Sequence, residues 1–145
     1  MYGIGFRHYR QKFASLDVPG TLEGVWQGEQ VGPGWYRTLA GPSLAIGGLG
    51  GWWGKEFDGQ GGIDNLLERG GALRRTLPGR VQEAASLLDG KPCRRIAYPK
   101  GSRLPWVWVV DELRQVGKGE LMGMMVLNVR WLPRLAFPFT LHAEE

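Results

Sequence analysis

Cysteine and histidine are scarce in this chain. Its 145 residues include one cysteine, Cys93, and two histidines, His8 and His142. A single cysteine excludes an internal disulfide and fits a reducing compartment, so a cytoplasmic protein is expected. Two distant histidines and one cysteine give no metal-ligand spacing, and no metal or cofactor is expected. No run reaches the ~18 apolar residues of a membrane span. The N-terminus lacks the apolar stretch of a secretion signal. There is no G-x-S-x-G serine elbow. The glycine-rich stretch 41–51 lacks the lysine and Ser/Thr ending of a phosphate loop. The net charge is +4 and the pI about 9.5, yet basic residues come in scattered pairs such as Arg74-Arg75 and Arg94-Arg95 with acids between. Without a dense basic stripe, that charge reads as a solvated surface and not as a nucleic-acid site.

Tryptophan and glycine are abundant instead. There are seven tryptophans, at 26, 35, 52, 53, 106, 108 and 131, with 24 glycines and 9 prolines. Tryptophan brings a wide apolar face and one N–H that needs a partner. Glycine lets a second backbone or ring come close. Aromatic walls among closely approaching strands suit a small barrel around a cavity. The length fits one domain, expected to comprise an N-terminal helical segment (1–19) and a barrel (22–141).

Along 4–16, Phe6, Tyr9, Phe13 and Leu16 recur at helical spacing, with Arg7, Arg10 and Lys12 on the other side. This predicts an amphipathic helix, stopped by Asp17-Val18-Pro19-Gly20 and expected to cover one end of the fold. Beyond it the texture is β. Strands are predicted at 22–31, 35–39, 52–57, 72–77, 80–88, 91–98, 106–110, 121–131 and 135–141. Residues 63–69 read as a strand or one helical turn. Asp89-Gly90 predicts a two-residue hairpin turn. Gly117-Lys118-Gly119 predicts another turn. Pro138 predicts an edge strand or bulge. Eight to ten short strands with frequent turn signals argue for a mainly β protein, an antiparallel lipocalin-like barrel with a short N-terminal helix.

Alternation then nominates a lining. Trp53, Lys55 and Phe57 fall on one face of their strand, and Lys55 in that aromatic frame is placed to meet a carboxylate or carbonyl of an apolar ligand. Trp106, Trp108, Val110, Glu112 and Arg114 share a second face, where an acid–arginine pair can orient a ligand or transfer protons. Met122, Met124 and Met125 form a soft wall suited to irregular apolar shapes. Phe137 and Phe139 share a face with Leu135 and Leu141. Trp26 is expected at the cavity floor, stacked on Arg130 or Arg134. The ligand-binding candidates are thus Trp26, Trp53, Lys55, Phe57, Trp106, Trp108, Arg114, Met125, Phe137 and Phe139. Tyr98, Asp111 and Glu112 are the candidates for proton transfer. His142 offers one axial haem ligand, but a lone histidine near a terminus reads as a surface residue. Cys93 is read as an inert thiol, although the arginines after it favour a thiolate.

Several segments carry a family likeness. Gly24-Val25-Trp26-Gln27-Gly28 resembles the first-strand G-x-W signature of lipocalin-like proteins. Gly51-Trp52-Trp53-Gly54-Lys55-Glu56-Phe57 resembles the G-W-x-G-K-x-F segment of the small bacterial GXWXG-domain family. The run Val110 to Val116, then Glu120-Leu121-Met122-Gly123, resembles that family's ending, and Phe137-Pro138-Phe139-Thr140-Leu141 its final strand. Val126 stands where the family often carries an acid. The resemblance implies a calycin-like antiparallel barrel with an N-terminal helix, and little about activity.

The expected function is binding of a small hydrophobic molecule, lipid- or terpenoid-like, in a barrel cavity. An enzyme using the same cavity, a cofactor-independent isomerase, cyclase or hydratase, is the alternative. A third reading is a homodimer or a membrane contact through Trp35, Trp131 and Leu132; membrane contact is the less expected of the two.

Overall fold

The computed structural model describes residues 6–31, 51–102, 106–129 and 135–144. Helix α1 (Phe6–Ala14) precedes strands β1 (Glu23–Gln30), β2 (Trp52–Asp58), β3 (Gly62–Arg69), β4 (Ala72–Ala85) and β5 (Pro92–Ala97). A short 3-10 turn (Trp106–Trp108) leads into β6 (Val109–Gly117), β7 (Glu120–Leu127) and β8 (Ala136–Ala143). Each strand runs antiparallel to the next, and β8 pairs with β1, so the sheet closes into an eight-stranded barrel. Closure leaves no sheet edge to template other chains. It also corrects the expectation for Pro138, which is buried and pairs with Met124 on β7. On its other side β1 is running out, and the Val31 N–H donates to the Pro138 carbonyl at 3.3 Å. The predicted strand at 35–39 and the residues Trp35, Arg130, Trp131, Leu132 and Arg134 lie outside the described residues.

Two bulges reset the side-chain parity on β2 and β4, and a third register shift, between Gln115 and Gly117, lies at the β6–β7 turn. On β2, Trp52 stands opposite Leu67 and Gly54 opposite Leu66, so Trp53 is the extra residue. Trp52, not Trp53, therefore joins Lys55 inside the barrel. On β4, Gly79 stands opposite Ile63 and Thr76 opposite Asn65, again one residue too many. Leu77 at this bulge has φ 46°, the one positive value off glycine among the described residues. Pro78 sits in the bulge, which explains why two predicted strands, 72–77 and 80–88, are one bent strand. The β4–β5 connection is longer than the predicted two-residue turn: the Ser86 N–H bonds the Lys91 carbonyl around Leu87 to Gly90. Asp89 keeps negative φ and acts through its side chain, which accepts the Lys91 N–H at 2.9 Å.

One half of the lumen is solid. Leu22, Phe57, Ile63, Ile96, Leu113 and Leu121 pack there with Leu141, and Trp26 leans against them. Helix α1 lies on the outer wall and does not cover an end. Phe13, 1% exposed, packs on Met122, Met124 and Val126, the outward residues of β7. That strand is apolar on both faces, so its outer face needs a cover, and the amphipathic helix supplies it. Burying Phe13 contributes about 2 kcal/mol.

Candidate functional site

The other half of the lumen holds a polar cluster. Alternation turns Lys55 of β2, Asn65 of β3 and Asp111 of β6 inward, and Tyr98 joins them just past β5. Lys55 and Asp111 form an ion pair at 2.9 Å, with side chains 3% and 5% exposed. The Lys55 ammonium also donates to Asn65 Oδ1 at 2.7 Å and Tyr98 Oη at 3.1 Å. The Tyr98 hydroxyl donates to Asp111 Oδ2 at 2.6 Å. Asn65 Nδ2 donates to the Leu77 carbonyl at 3.1 Å and to Tyr98 Oη at 3.3 Å. The Trp52 indole N–H completes the set on Asn65 Oδ1 at 3.1 Å. Lysine and indole can only donate, which fixes the orientation of the Asn65 amide. The strained Leu77 backbone thus presents the carbonyl that helps hold Asn65 in place.

An aromatic frame surrounds the ion pair. The Lys55 nitrogen lies 5.7 Å from the Trp52 ring centre, 5.8 Å from Tyr98 and 5.6 Å from Phe139. Trp52 and Phe139 meet edge to face at 5.9 Å. Both rings lie against glycines: a Cβ at Gly28 would collide with the Trp52 indole, and one at Gly123 with the Phe139 ring. A void of about 20 Å³ remains beside the cluster, its polar lining Gln30, Lys55, Asn65, Tyr98 and Asp111. Trp52, Trp106, Met125 and Phe139 line the rest. A water needs roughly 10–15 Å³, so the void takes one small group, and a larger ligand would lie mostly beyond it.

The electrostatics keep Tyr98 a donor. Burial pushes its phenol well above the ordinary range, and the Asp111 charge pushes the same way. Tyr98 therefore holds its proton, while Asp111 is the group with acceptor capacity.

The structure gathers six of the sequence candidates at this void: Lys55, Tyr98, Trp106, Asp111, Met125 and Phe139. Phe137, half-buried, shares the inward face of β8 with Phe139 by alternation. Phe57 belongs to the packed half, and so does Trp26, which meets Phe57 edge-on at 6.5 Å and donates its N–H to the Glu23 carbonyl. The remaining candidates need correction. Trp53 is displaced by the β2 bulge. Trp108 is 48% exposed, because a 3-10 turn sends positions two apart to different sides. Glu112 and Arg114 are fully buried, but on the outer wall: β6 alternation sends Asp111 and Leu113 into the lumen and these two outward. Met122 and Met124 also face out, under α1. His142 is exposed on β8 and does not enter the lumen. Cys93 is buried, and its thiol is pushed up to about 11 by burial and then by Glu112, outweighing the arginines.

Asn65, Trp52 and Gln30 were not nominated by the sequence. Asparagine has low strand propensity, so Asn65 between Ile63 and Leu66-Leu67 was a readable sign of a special inward position. The bulge that admits Trp52 left no such sign.

No protein-family model and no curated protein matches the chain. Among solved structures, the chain is similar to a crystal structure of a protein from Thermomonospora curvata, at a TM-score of 0.69 and 20% sequence identity. The match covers 96% of this chain and 87% of that one, and it shows a shared fold.

Proposed function

We propose that this barrel binds a small molecule at the Lys55–Asn65–Tyr98–Asp111 cluster, its polar end in the void and its apolar body against the surrounding aromatic frame. The observation that carries this reading is a buried ionic cluster inside an otherwise apolar lumen. Stability alone gives little reason for it, since replacing such a pair by apolar residues is often neutral or stabilising. Small-molecule sites combine apolar walls with a few converging polar groups, and this end of the lumen has both. The motif resemblance points the same way, because the lysine of the G-W-x-G-K-x-F segment is Lys55, at the centre of the cluster.

Native mass spectrometry of protein purified from its own host tests the reading. A small molecule retained at one-to-one, and lost in a Lys55→Met/Asp111→Leu variant, is the expected result. If neither a retained molecule nor any titrated small molecule distinguishes the wild type from that variant, the lumen is merely a filled core.

One observation supports a second reading as a cofactor-independent isomerase, cyclase or hydratase: the 2.6 Å bond between Tyr98 and Asp111 is a ready proton-transfer pair. With Tyr98 held protonated, it would be the acid and Asp111 the base. Tyr98→Phe would then abolish turnover of a bound compound and leave its affinity within a few-fold. Equal turnover in both proteins removes this reading.

A further inference from the structure

The hydrogen-bond valences of the cluster restrict what it can hold. Lys55 has three donors and all are used, on Asn65, Tyr98 and Asp111. Both donors of Asn65 are used, as are those of Tyr98 and Trp52. The acceptors of Asn65 and Tyr98 are filled by the same bonds. Asp111 is different. Its Oδ2 accepts from Lys55 and Tyr98, whereas its Oδ1 takes part in none of these bonds, and Asp111 lines the void. Lys55, Asn65, Tyr98, Trp52 and Asp111 together therefore offer an incoming group an acceptor and no donor.

We infer that the site selects an alcohol: a neutral hydroxyl no larger than the void, donating to Asp111 Oδ1, on an apolar body. This inference rests on the lumen-binding reading and names the head group it takes. A carboxylate fails on three counts. It finds no free donor on Lys55, Asn65, Tyr98 or Trp52, it brings negative charge against Asp111 Oδ1, and it exceeds a space that holds one water-sized group. The expected contact between Lys55 and a ligand carboxylate is thus replaced, because protein acceptors already saturate Lys55. An alkylammonium can donate, but it would enter beside the Lys55 ammonium, and like charges at close range in a poorly solvated site repel strongly. An ether or ketone of the same shape leaves the Asp111 oxygen unpaired, and burying an acceptor without its partner is costly.

The test uses the full chain and four probes of equal length: pentan-1-ol, pentylammonium, pentanoate and butyl methyl ether. Indole N–H cross-peaks in ¹H–¹⁵N spectra report each titration, with Trp52 and Trp106 assigned by substitution. The alcohol is expected to shift these two signals and to bind about tenfold or more tightly than the ether, in line with the cost of an unmade buried hydrogen bond. Pentylammonium and pentanoate are expected to bind more weakly still. Asp111→Asn would turn an N–H toward the void and its carbonyl toward Lys55 and Tyr98, and the alcohol-to-ether ratio would collapse to about twofold or less. If the ether or pentanoate matches the alcohol in the wild type, the head-group rule is overturned while lumen binding stands. If no probe moves either signal, lumen binding itself fails.

Discussion

Strand β6 carries two buried ionic clusters, one on each face, and they differ in kind. Inside the barrel, Asp111 pairs with Lys55 and keeps one oxygen beside a void. Outside, Arg114 pairs with Asp89 through two bonds at 2.6 and 2.7 Å. The same guanidinium donates to the carbonyls of Phe13, Lys91 and Pro92, so all five of its N–H groups are used. It also stacks 4.4 Å over the Phe13 ring. Next to it, Glu112 accepts from Ser86 Oγ and from the Leu87 N–H. The outer cluster ties three pieces of chain together: α1, the β4–β5 turn and β6. Its guanidinium has no donor left to offer. The outer carboxylate is the more open of the two, its side chain 18% exposed against 5% for Asp111, but it is the tally of unused valences that separates a fastener from a binding site.

Breaking the outer fastener has the largest expected effect. Arg114→Leu takes the donor from the carbonyls of Phe13, Lys91 and Pro92, and the loss on urea denaturation should be roughly 3 kcal/mol, most of it from acceptors left unsatisfied. A loss below about 1 kcal/mol, the range of an exposed pair, would erase the distinction drawn here.

Next comes the inner pair, by double-mutant cycle. Asp111→Leu alone leaves a buried ammonium and should cost about 3 kcal/mol, whereas Lys55→Met/Asp111→Leu should recover most of that loss. The double variant should also bind none of the alcohol probe. A double variant as unstable as the single one would make the inner cluster a fastener too.

The pH dependence of the outer pair is smaller. The Arg114 hydrogen bonds hold the Asp89 carboxyl below the usual range, and the Lys91 N–H adds to this. A carboxylate whose folded value is depressed stabilises the fold above its unfolded value, near 3.9, and loses that contribution as pH falls through the folded value. The melting-temperature gap between wild type and Asp89→Asn should therefore be constant at neutral pH and narrow below about pH 4. A gap unchanged down to acid unfolding would contradict the ion pair.

The smallest effect is the baseline for both clusters. Arg75 and Glu56 pair at 2.7 Å, but the arginine side chain is 66% exposed. Arg75→Ala should leave the melting temperature unchanged within error, since solvent screens such a pair. A clear drop would show that exposed pairs matter as much as buried ones here.

Much of the lumen was readable from period two. Lys55 and Phe139 point inward as alternation requires. The misreadings have local causes. The β2 bulge exchanged Trp53 for Trp52. The 3-10 turn before β6 broke the parity that linked Trp106 and Trp108 to Glu112 and Arg114. Alternation did separate Asp111 from Arg114, but both faces of β6 are buried, and nothing in the strand itself says which face is the lumen. The glycine–aromatic pairing was real yet lay between neighbouring strands, Gly28 with Trp52 and Gly123 with Phe139, not within the short motifs where glycine and tryptophan are neighbours.

The sequence by itself determined the class of fold, the amphipathic helix and most strand positions, because periodicity and turn chemistry act over a few residues. Tertiary structure decided the rest. Barrel closure brought Lys55, Asn65, Tyr98 and Asp111 from four separate segments into one hydrogen-bonded set, and it placed α1 against a wall. Those outcomes depend on register and bulges between strands far apart in the chain, which no local pattern encodes.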